Sequence, residues 1–236
     1  MTGNGNIQNE PRFYGRRRGH KLRPGRQALI DDLLPRLRLE LPSDDKSVDV
    51  ETLFSGPVKD LWLEVGFGGG EHLAAQAEAH PDIGFIGCEP FINGIATVLS
   101  LIEDRGLTNI RIFDDDVRKL FPVLPDAGFG RVYALFTDPW PKKRHHRRRF
   151  ICDDTLEHLV RLLKDDGDLR LASDHMGYAD WMLDHLIRCQ EMSWQARSKQ
   201  DWASPPPDWV ETRYEKKAKA KGLQPAYLCF SRLPRP

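Results

Sequence analysis

Apolar periodicity along the chain is weak at first and becomes regular near residue 60. Residues 1–25 are rich in Gly, Asn and Arg with few apolar anchors, and predict a mobile arm. Residues 26–41, RQALIDDLLPRLRLEL, predict a short helix or turn that lays its leucines on the body, and residues 42–56 a polar linker followed by a small apolar patch. From Asp60 strands and helices alternate. LWLEVGF at 61–67 is a near-continuous apolar run ending in glycines, the mark of a strand buried on both faces. A helix with Leu73 and Ala77 on one side follows at 70–80, a strand at 83–90, and a helix at 92–106 with Gly106 as its C-cap. Strands at 109–116 and 131–138 precede a helix over 151–167, with apolar residues at 156, 159, 160 and 163 and a stop at Gly167. A strand at 168–174 and a helix at 176–189 come next. Candidate strands at 193–200 and 225–233 close the pattern, joined through TRYEKKAKAKG (212–222), which reads as a loop.

This rhythm predicts an α/β fold, a seven-stranded mostly parallel sheet with helices on both faces and its last two strands as an antiparallel hairpin at one edge. One catalytic domain would span 51–236, preceded by a basic, partly disordered arm and a short helix over 1–50. Sheets of this kind bind ligands beyond the C-terminal ends of their strands, where strand order reverses. Those ends are acidic. Glu64 closes the first strand, Glu89 the second and Asp138 the fourth, and Asp116 stands just after the third.

Four carboxylates around one pocket suit a ligand with hydroxyls, amino groups and positive charge. Glu89 can accept both hydroxyls of a ribose, and Asp116 an adenine amino group. Glu64, with the turn at Gly66 and Gly68, can meet an ammonium and a sulfonium. That combination describes S-adenosylmethionine. A dinucleotide is disfavoured, because the third fingerprint glycine is replaced by Glu71, whose charge is unwelcome beside a pyrophosphate.

Composition adds one decisive fact. Lys and Arg number 35 and Asp and Glu 35, so net charge is zero, yet the basic residues are segregated. Residues 11–30, 142–149 and 213–221 hold 18 of the 35 and one acid, Glu215. Such windows are solvated faces or fit a polyanionic partner, and three on one chain favour the partner. No apolar run is long enough to span a membrane, and residues 1–27 show no secretory h-region. Four scattered cysteines without a CxxC pair predict neither a disulfide framework nor a metal site, and a cytoplasmic chain. A monomer or weak homodimer is expected.

The stretch FTDPWPKKRHHRRRF (136–150) sets Asp138 and Trp140 directly before the second basic window. Trp140 could stack on a base taken out of its helix, or pin the proline-rich loop to the core. Lys142, Arg144 and Arg147 would grip phosphates. His145 and His146 lack a third ligand at suitable spacing, so no metal is assigned.

These motifs resemble the bacterial tRNA (guanine-N7)-methyltransferases. LEVGFGGGEHL, GCEPFINGIA, the DV of Asp116 and Val117, TDPWPKKRHHRRRF, SDH at 173–175 and TRYEKKA occur in family order across residues 61–218, and GRRRGHKLRPGRQ looks like the family's arm. The resemblance implies a Rossmann-like class I methyltransferase fold, with methyl transfer from S-adenosylmethionine to N7 of a guanine in the tRNA variable loop. By motif, Glu64, Glu89, Asp116 and Asp138 look like the cofactor-binding acids, with Asp138 also catalytic. Lys142, Asp174, Thr212, Arg213, Tyr214 and Glu215 match positions associated with the substrate. Pro141 and the doubled His145–His146 depart from the pattern and touch only loop shape. Glu215 could read guanine through N1–H and the 2-amino group, while Thr212 and Arg213 bind sugar or phosphate. Thr212 and Glu215 could equally form a helix capping box. A methyltransferase acting on another RNA base, and an RNA-binding protein with a vestigial pocket, are the alternatives.

Overall fold

The computed structural model describes residues 13–42 and 47–236. A helical pair, α1 (Pro24–Asp32) and α2 (Leu34–Leu37), precedes the alternating core. That core runs β1 (Asp60–Val65), α3 (Glu71–Ala79), β2 (Ile83–Cys88), α4 (Ile92–Arg105), β3 (Ile110–Phe113), α5 (Val117–Leu120) and β4 (Phe129–Leu135). It continues with α6 (Asp153–Leu162), β5 (Leu163–Ser173), α7 (Met176–Arg188), β6 (Met192–Trp194), α8 (Gln200–Ala203), α9 (Arg213–Ala220) and β7 (Ala226–Arg232). The strands form one sheet in the order β3-β2-β1-β4-β5-β7-β6. Pairing is parallel from β3 through β5 and antiparallel where β7 meets β5 and β6.

Period-two alternation sorts β1 between two apolar layers. Leu61, Leu63 and Val65 join Leu159 of α6 and Met182 of α7 on one face. Trp62 joins Leu73 of α3 and Val98 and Leu99 of α4 on the other. Because β1 pairs with both β2 and β4, strand order reverses at its C-terminal end. The glycine turn and the acids flank that point.

Four expectations are corrected. The sixth helix ends at Leu162, and Gly167 lies within β5. Leu163 already pairs with Phe129, and the next pair is Arg131 with Asp168, so residues between them bulge out, helped by a left-handed Asp166 at φ 61°. The sixth strand is only Met192–Trp194, after which the chain turns into α8. Residues 213–220 form the helix α9, because Thr212 caps it, its Oγ1 accepting from the Glu215 N–H at 3.1 Å, and Glu215 and Ala218 are buried. The last two strands are thus antiparallel but joined through two helices, and β7 lies inside the sheet with β6 at the edge.

The fourth correction concerns the arm. Its first twelve residues lie outside those described, but residues 13–23 are docked. The Ile92 N–H at the start of α4 donates to the Arg17 carbonyl at 3.0 Å, and Asn93 exchanges bonds with the Gly19 N–H and His20 carbonyl at 2.8 Å each. An Arg17–Asp115 ion pair at 2.5 Å adds to them. The arm therefore satisfies one donor that a helix N-terminus otherwise leaves open.

Candidate active site

One cavity of about 590 Å³ opens at the strand-order reversal, lined by the glycine turn, the ends of β2, β3 and β4, the arm and α9. Gly66 and Gly68 both hold left-handed backbone, at φ 68° and 59°. A Cβ added to Gly66 would meet nothing within 4 Å, so this glycine serves the turn and an open approach rather than packing. One added to Gly68 would stand 3.0 Å from Tyr214 Cε2, which marks how closely α9 covers the turn.

Glu89, just past β2, is locked over this turn. Its Oε2 accepts from the Gly68 N–H at 2.8 Å and its Oε1 from the Phe91 N–H at 3.0 Å. Burial pushes its carboxyl up to about 7 against these two N–H groups, and the neighbouring charge of Asp138 adds to the rise. Asp116 caps α5, accepting from the Arg118 N–H at 3.1 Å, and its two oxygens take the Arg118 guanidinium at 3.0 and 2.5 Å. Asp138 lies three residues beyond β4 and lines the same cavity. No donor among the described residues reaches its carboxylate. The surrounding walls raise its carboxyl above the ordinary range by desolvation, although the residue stays open to solvent.

The loop after β4 is held in an uncommon shape. Phe136 and Trp140 have φ of 53° and 42°, left-handed values that bulky residues adopt only where their surroundings impose them. Arg149, buried, donates from Nε to the Pro139 carbonyl at 2.9 Å and lies over the Trp181 ring at 4.8 Å. One member of the basic run is therefore a brace for the loop. Lys142, Lys143, Arg144 and Arg147 are exposed beside the cavity, whereas Arg148 turns into it.

Of the residues singled out by sequence, the cavity brings together Gly66, Gly68, Glu89, Asp116, Asp138, Trp140 and Tyr214. Glu64 is placed elsewhere. Alternation turns it to the α3 face, where its Oε2 lies 2.8 Å from Nδ1 of a buried His72. Glu215 also points inward, fully buried, accepting from Trp209 Nε1 at 2.5 Å, the Tyr227 hydroxyl at 2.7 Å and Lys219 Nζ at 2.8 Å. Burial alone would raise its carboxyl, but these donors hold it below the ordinary value. Its carboxylate is committed to the protein, which removes it from guanine reading in this conformation. Arg213 pairs with Glu71 through Nε at 2.7 Å, Thr212 is the buried cap of α9, and Asp174 follows β5 without lining the cavity. Sequence reasoning passed over Tyr14, Arg118 and Arg148. The aromatic pair FY at the head of the arm's basic run was the available signal for the first.

Among the described residues no helix is long and apolar enough to cross a membrane, and no group of three His, Cys, Asp or Glu stands ready to hold a metal ion.

The strand order and flanking helices are those of the class I methyltransferase fold. A family model described as "Putative methyltransferase" matches residues 59–228. Among solved structures, the 16S rRNA methyltransferase KamB aligns with a TM-score of 0.52 at 13% identity, covering 75% of this chain and 89% of that one. The cyclase SpnF aligns equally well, at 0.52 and 14% identity over 76% of each chain, so the fold alone does not fix the chemistry. Sequence relatives are more specific. The tRNA (guanine-N(7)-)-methyltransferase of Rhodospirillum rubrum is 51% identical over 228 residues, 96% of this chain and 89% of the relative. That of Paramagnetospirillum magneticum is 49% identical over 231 residues, 97% and 96% of the two chains. The chain belongs to the tRNA (guanine-N7)-methyltransferase family.

Proposed function

We propose that the protein transfers a methyl group from S-adenosylmethionine to N7 of a guanine in the variable loop of tRNA. The observation that carries this reading is the convergence of Glu89, Asp116 and Asp138 on one cavity whose rim is basic and aromatic. The donor set fits the cofactor. Glu89, fixed by two backbone N–H groups, presents its remaining lone pairs to a ribose diol, and Asp116 lines the same cavity with its two oxygens shared between Arg118 and an amino group. The open space at Gly66 admits the cofactor's amino-acid end.

When bound, the cofactor supplies an electrophilic methyl on a cationic sulfur. N7 of guanine carries a free lone pair and no proton, so this chain needs no general base. Its task is positioning, which can supply roughly 7–11 kcal/mol of the barrier. Asp138, unpaired within the protein and lining the cavity, holds negative charge beside the purine that becomes cationic. Lys142, Arg144 and Arg147 meet phosphates at the mouth, where such contacts position RNA and weaken with salt.

The test is incubation of the purified protein with unmodified tRNA and S-adenosylmethionine, followed by nuclease mapping and nucleoside mass spectrometry. Appearance of 7-methylguanosine in a variable-loop fragment is expected. A methyl group on another atom or in another region of the tRNA would overturn the reading.

A further inference from the structure

Arg148 has an unusual environment for an arginine. Its guanidinium carbon stands 4.5 Å from the centroid of the Tyr14 ring and 4.9 Å from that of Trp140. The two rings are 6.3 Å apart at 73°, so they form the walls of a corner. The Nε of Arg148 is buried and has no hydrogen-bond partner, and among the described residues no carboxylate pairs with the head group. Yet Glu89, Asp116 and Asp138 line the same cavity. A planar cation is thus held by ring faces with a donor left unmet, and an unmet buried donor calls for an explanation.

The corner suits a different planar cation better. Guanine alkylated at N7 carries positive charge on a flat ring, and its methylated edge has no N–H to satisfy. Ring walls without acceptors cost it nothing there. The left-handed φ of 42° at Trp140, between Pro139 and Pro141, fixes the indole wall.

We propose that the Tyr14–Trp140 corner is the seat of the target base and that Arg148 is its placeholder. This rests on the methyl-transfer reading above. The extruded guanine enters against Trp140, and the guanidinium swings out toward a phosphate of the RNA. As the methyl–sulfur bond breaks and the methyl–N7 bond forms, positive charge passes from sulfur to the purine and no proton moves. The ring faces, with Asp138 two residues away in sequence, hold that charge where it arrives. The arm thereby supplies a wall of the site rather than only a basic tail.

The experiment titrates the full-length protein with the nucleosides guanosine and 7-methylguanosine, following tryptophan emission. Nucleosides lack the phosphate that Arg148 would otherwise bind. The wild type is expected to bind 7-methylguanosine about two- to thirtyfold tighter than guanosine, the span of a cation–π contact of ~0.5–2 kcal/mol. Tyr14→Leu and Trp140→Leu should each bring the preference close to one. Arg148→Met should tighten binding of both nucleosides, because the occupant no longer competes; a merely structural Arg148 would leave binding unchanged or weaken it. Equal binding of the two nucleosides by the wild type, binding of neither, or weaker binding by Arg148→Met overturns the proposal. Should Trp140→Leu fail to fold, as judged by its thermal transition, Tyr14→Leu on the arm carries the same comparison. A protein that makes 7-methylguanosine in tRNA but shows no preference loses the seat and keeps the function. One that shows the preference but makes no 7-methylguanosine keeps the seat and loses the function.

Discussion

Two groups of carboxylates stand near strand ends in this molecule, and their surroundings are opposite. On the α3 and α9 side, Glu64 meets His72, Glu71 meets Arg213, and Glu215 accepts from Trp209, Tyr227 and Lys219. In the cavity, Asp138 has no donor among the described residues, and Glu89 has only two backbone N–H groups and a like charge nearby. The first group is satisfied by the protein; in the second Asp116 is held by Arg118, while Asp138 and the remaining lone pairs of Glu89 are left for something else. Burial without a cationic partner raises the carboxyls of Glu89 and Asp138, while the donors around Glu215 lower its own. Partnering, more than position at a strand end, separates acids that hold the fold from acids that face a ligand.

The largest expected effect follows from removing charge on the cavity side. Asp138→Asn should lower kcat by roughly 10²–10³, the usual cost of losing one preorganised electrostatic group. Affinity for tRNA, measured by filter binding, should change little, since the phosphate contacts remain. Unfolding free energy should stay within about 0.5 kcal/mol, because no protein partner is lost. Turnover near that of the wild type would place Asp138 outside the chemistry and blur the distinction between the two groups.

On the other side the same operation should cost stability first. Glu215→Ala leaves the buried Tyr227 hydroxyl without its acceptor, and the indole N–H of the half-buried Trp209 loses its own. A loss of about 2–4 kcal/mol in urea unfolding is expected, from buried donors left unmet. Residual methylation should remain confined to guanine. A Glu215→Ala protein of unchanged stability that loses base selectivity would return Glu215 to the role of guanine reader.

That contrast also marks how far the sequence was legible. Alternating apolar runs predicted the parallel sheet, because strands buried on both faces leave little choice of residue. Gly66 and Gly68 were readable because a left-handed turn admits few alternatives. Glu89, Asp116 and Asp138 were found by counting strand ends, a rule that holds when a side chain falls just past its strand. Glu64 lies inside β1, where period two sends it to the far face, and a count of ends cannot see that. Glu215 sits where TRYEKK fits either a cap or a binding loop, and its inward placement here depends on Trp209 and Tyr227 from separate segments. Tyr14 was hidden for a related reason. Its part in the cavity depends on the arm docking against Ile92 and Asn93, contacts made across more than seventy residues.

A smaller effect tests Glu89 through pH. Its folded carboxyl is raised to about 7 from an ordinary 4.5, so between these values the folded chain keeps a proton that the unfolded chain has lost. Stability from this group is therefore greatest at acid pH and declines as pH rises through the folded value. Glu89→Gln removes the titration, though one backbone bond is lost with it. Between pH 5 and pH 8 the stability difference should move by about 2–3 kcal/mol in favour of the variant, read from urea unfolding at each pH. A difference independent of pH would mean that Glu89 is not raised.

The smallest effect sharpens the comparison most directly, because it reads the cavity while it fills. At pH 7 the Glu89 carboxyl, raised to about 7, is roughly half protonated. Hydroxyl donors and a nearby positive charge favour its ionised form, so binding S-adenosylmethionine should release about half a proton per site at this pH. Calorimetry in buffers of different ionisation enthalpy measures that number. Release should fall toward zero at pH 8.5, where the carboxyl is already ionised, and in Asp138→Asn, where the like charge that helps to raise it is gone, it should fall at pH 7 as well. Glu215→Ala should leave proton release at pH 7 unchanged, because a carboxylate held low by its own donors has no proton to give. Equal proton release in the Asp138 variant and the wild type would show that the two cavity acids are not coupled, and that the unpaired side of the molecule is less distinct from the paired side than its geometry implies.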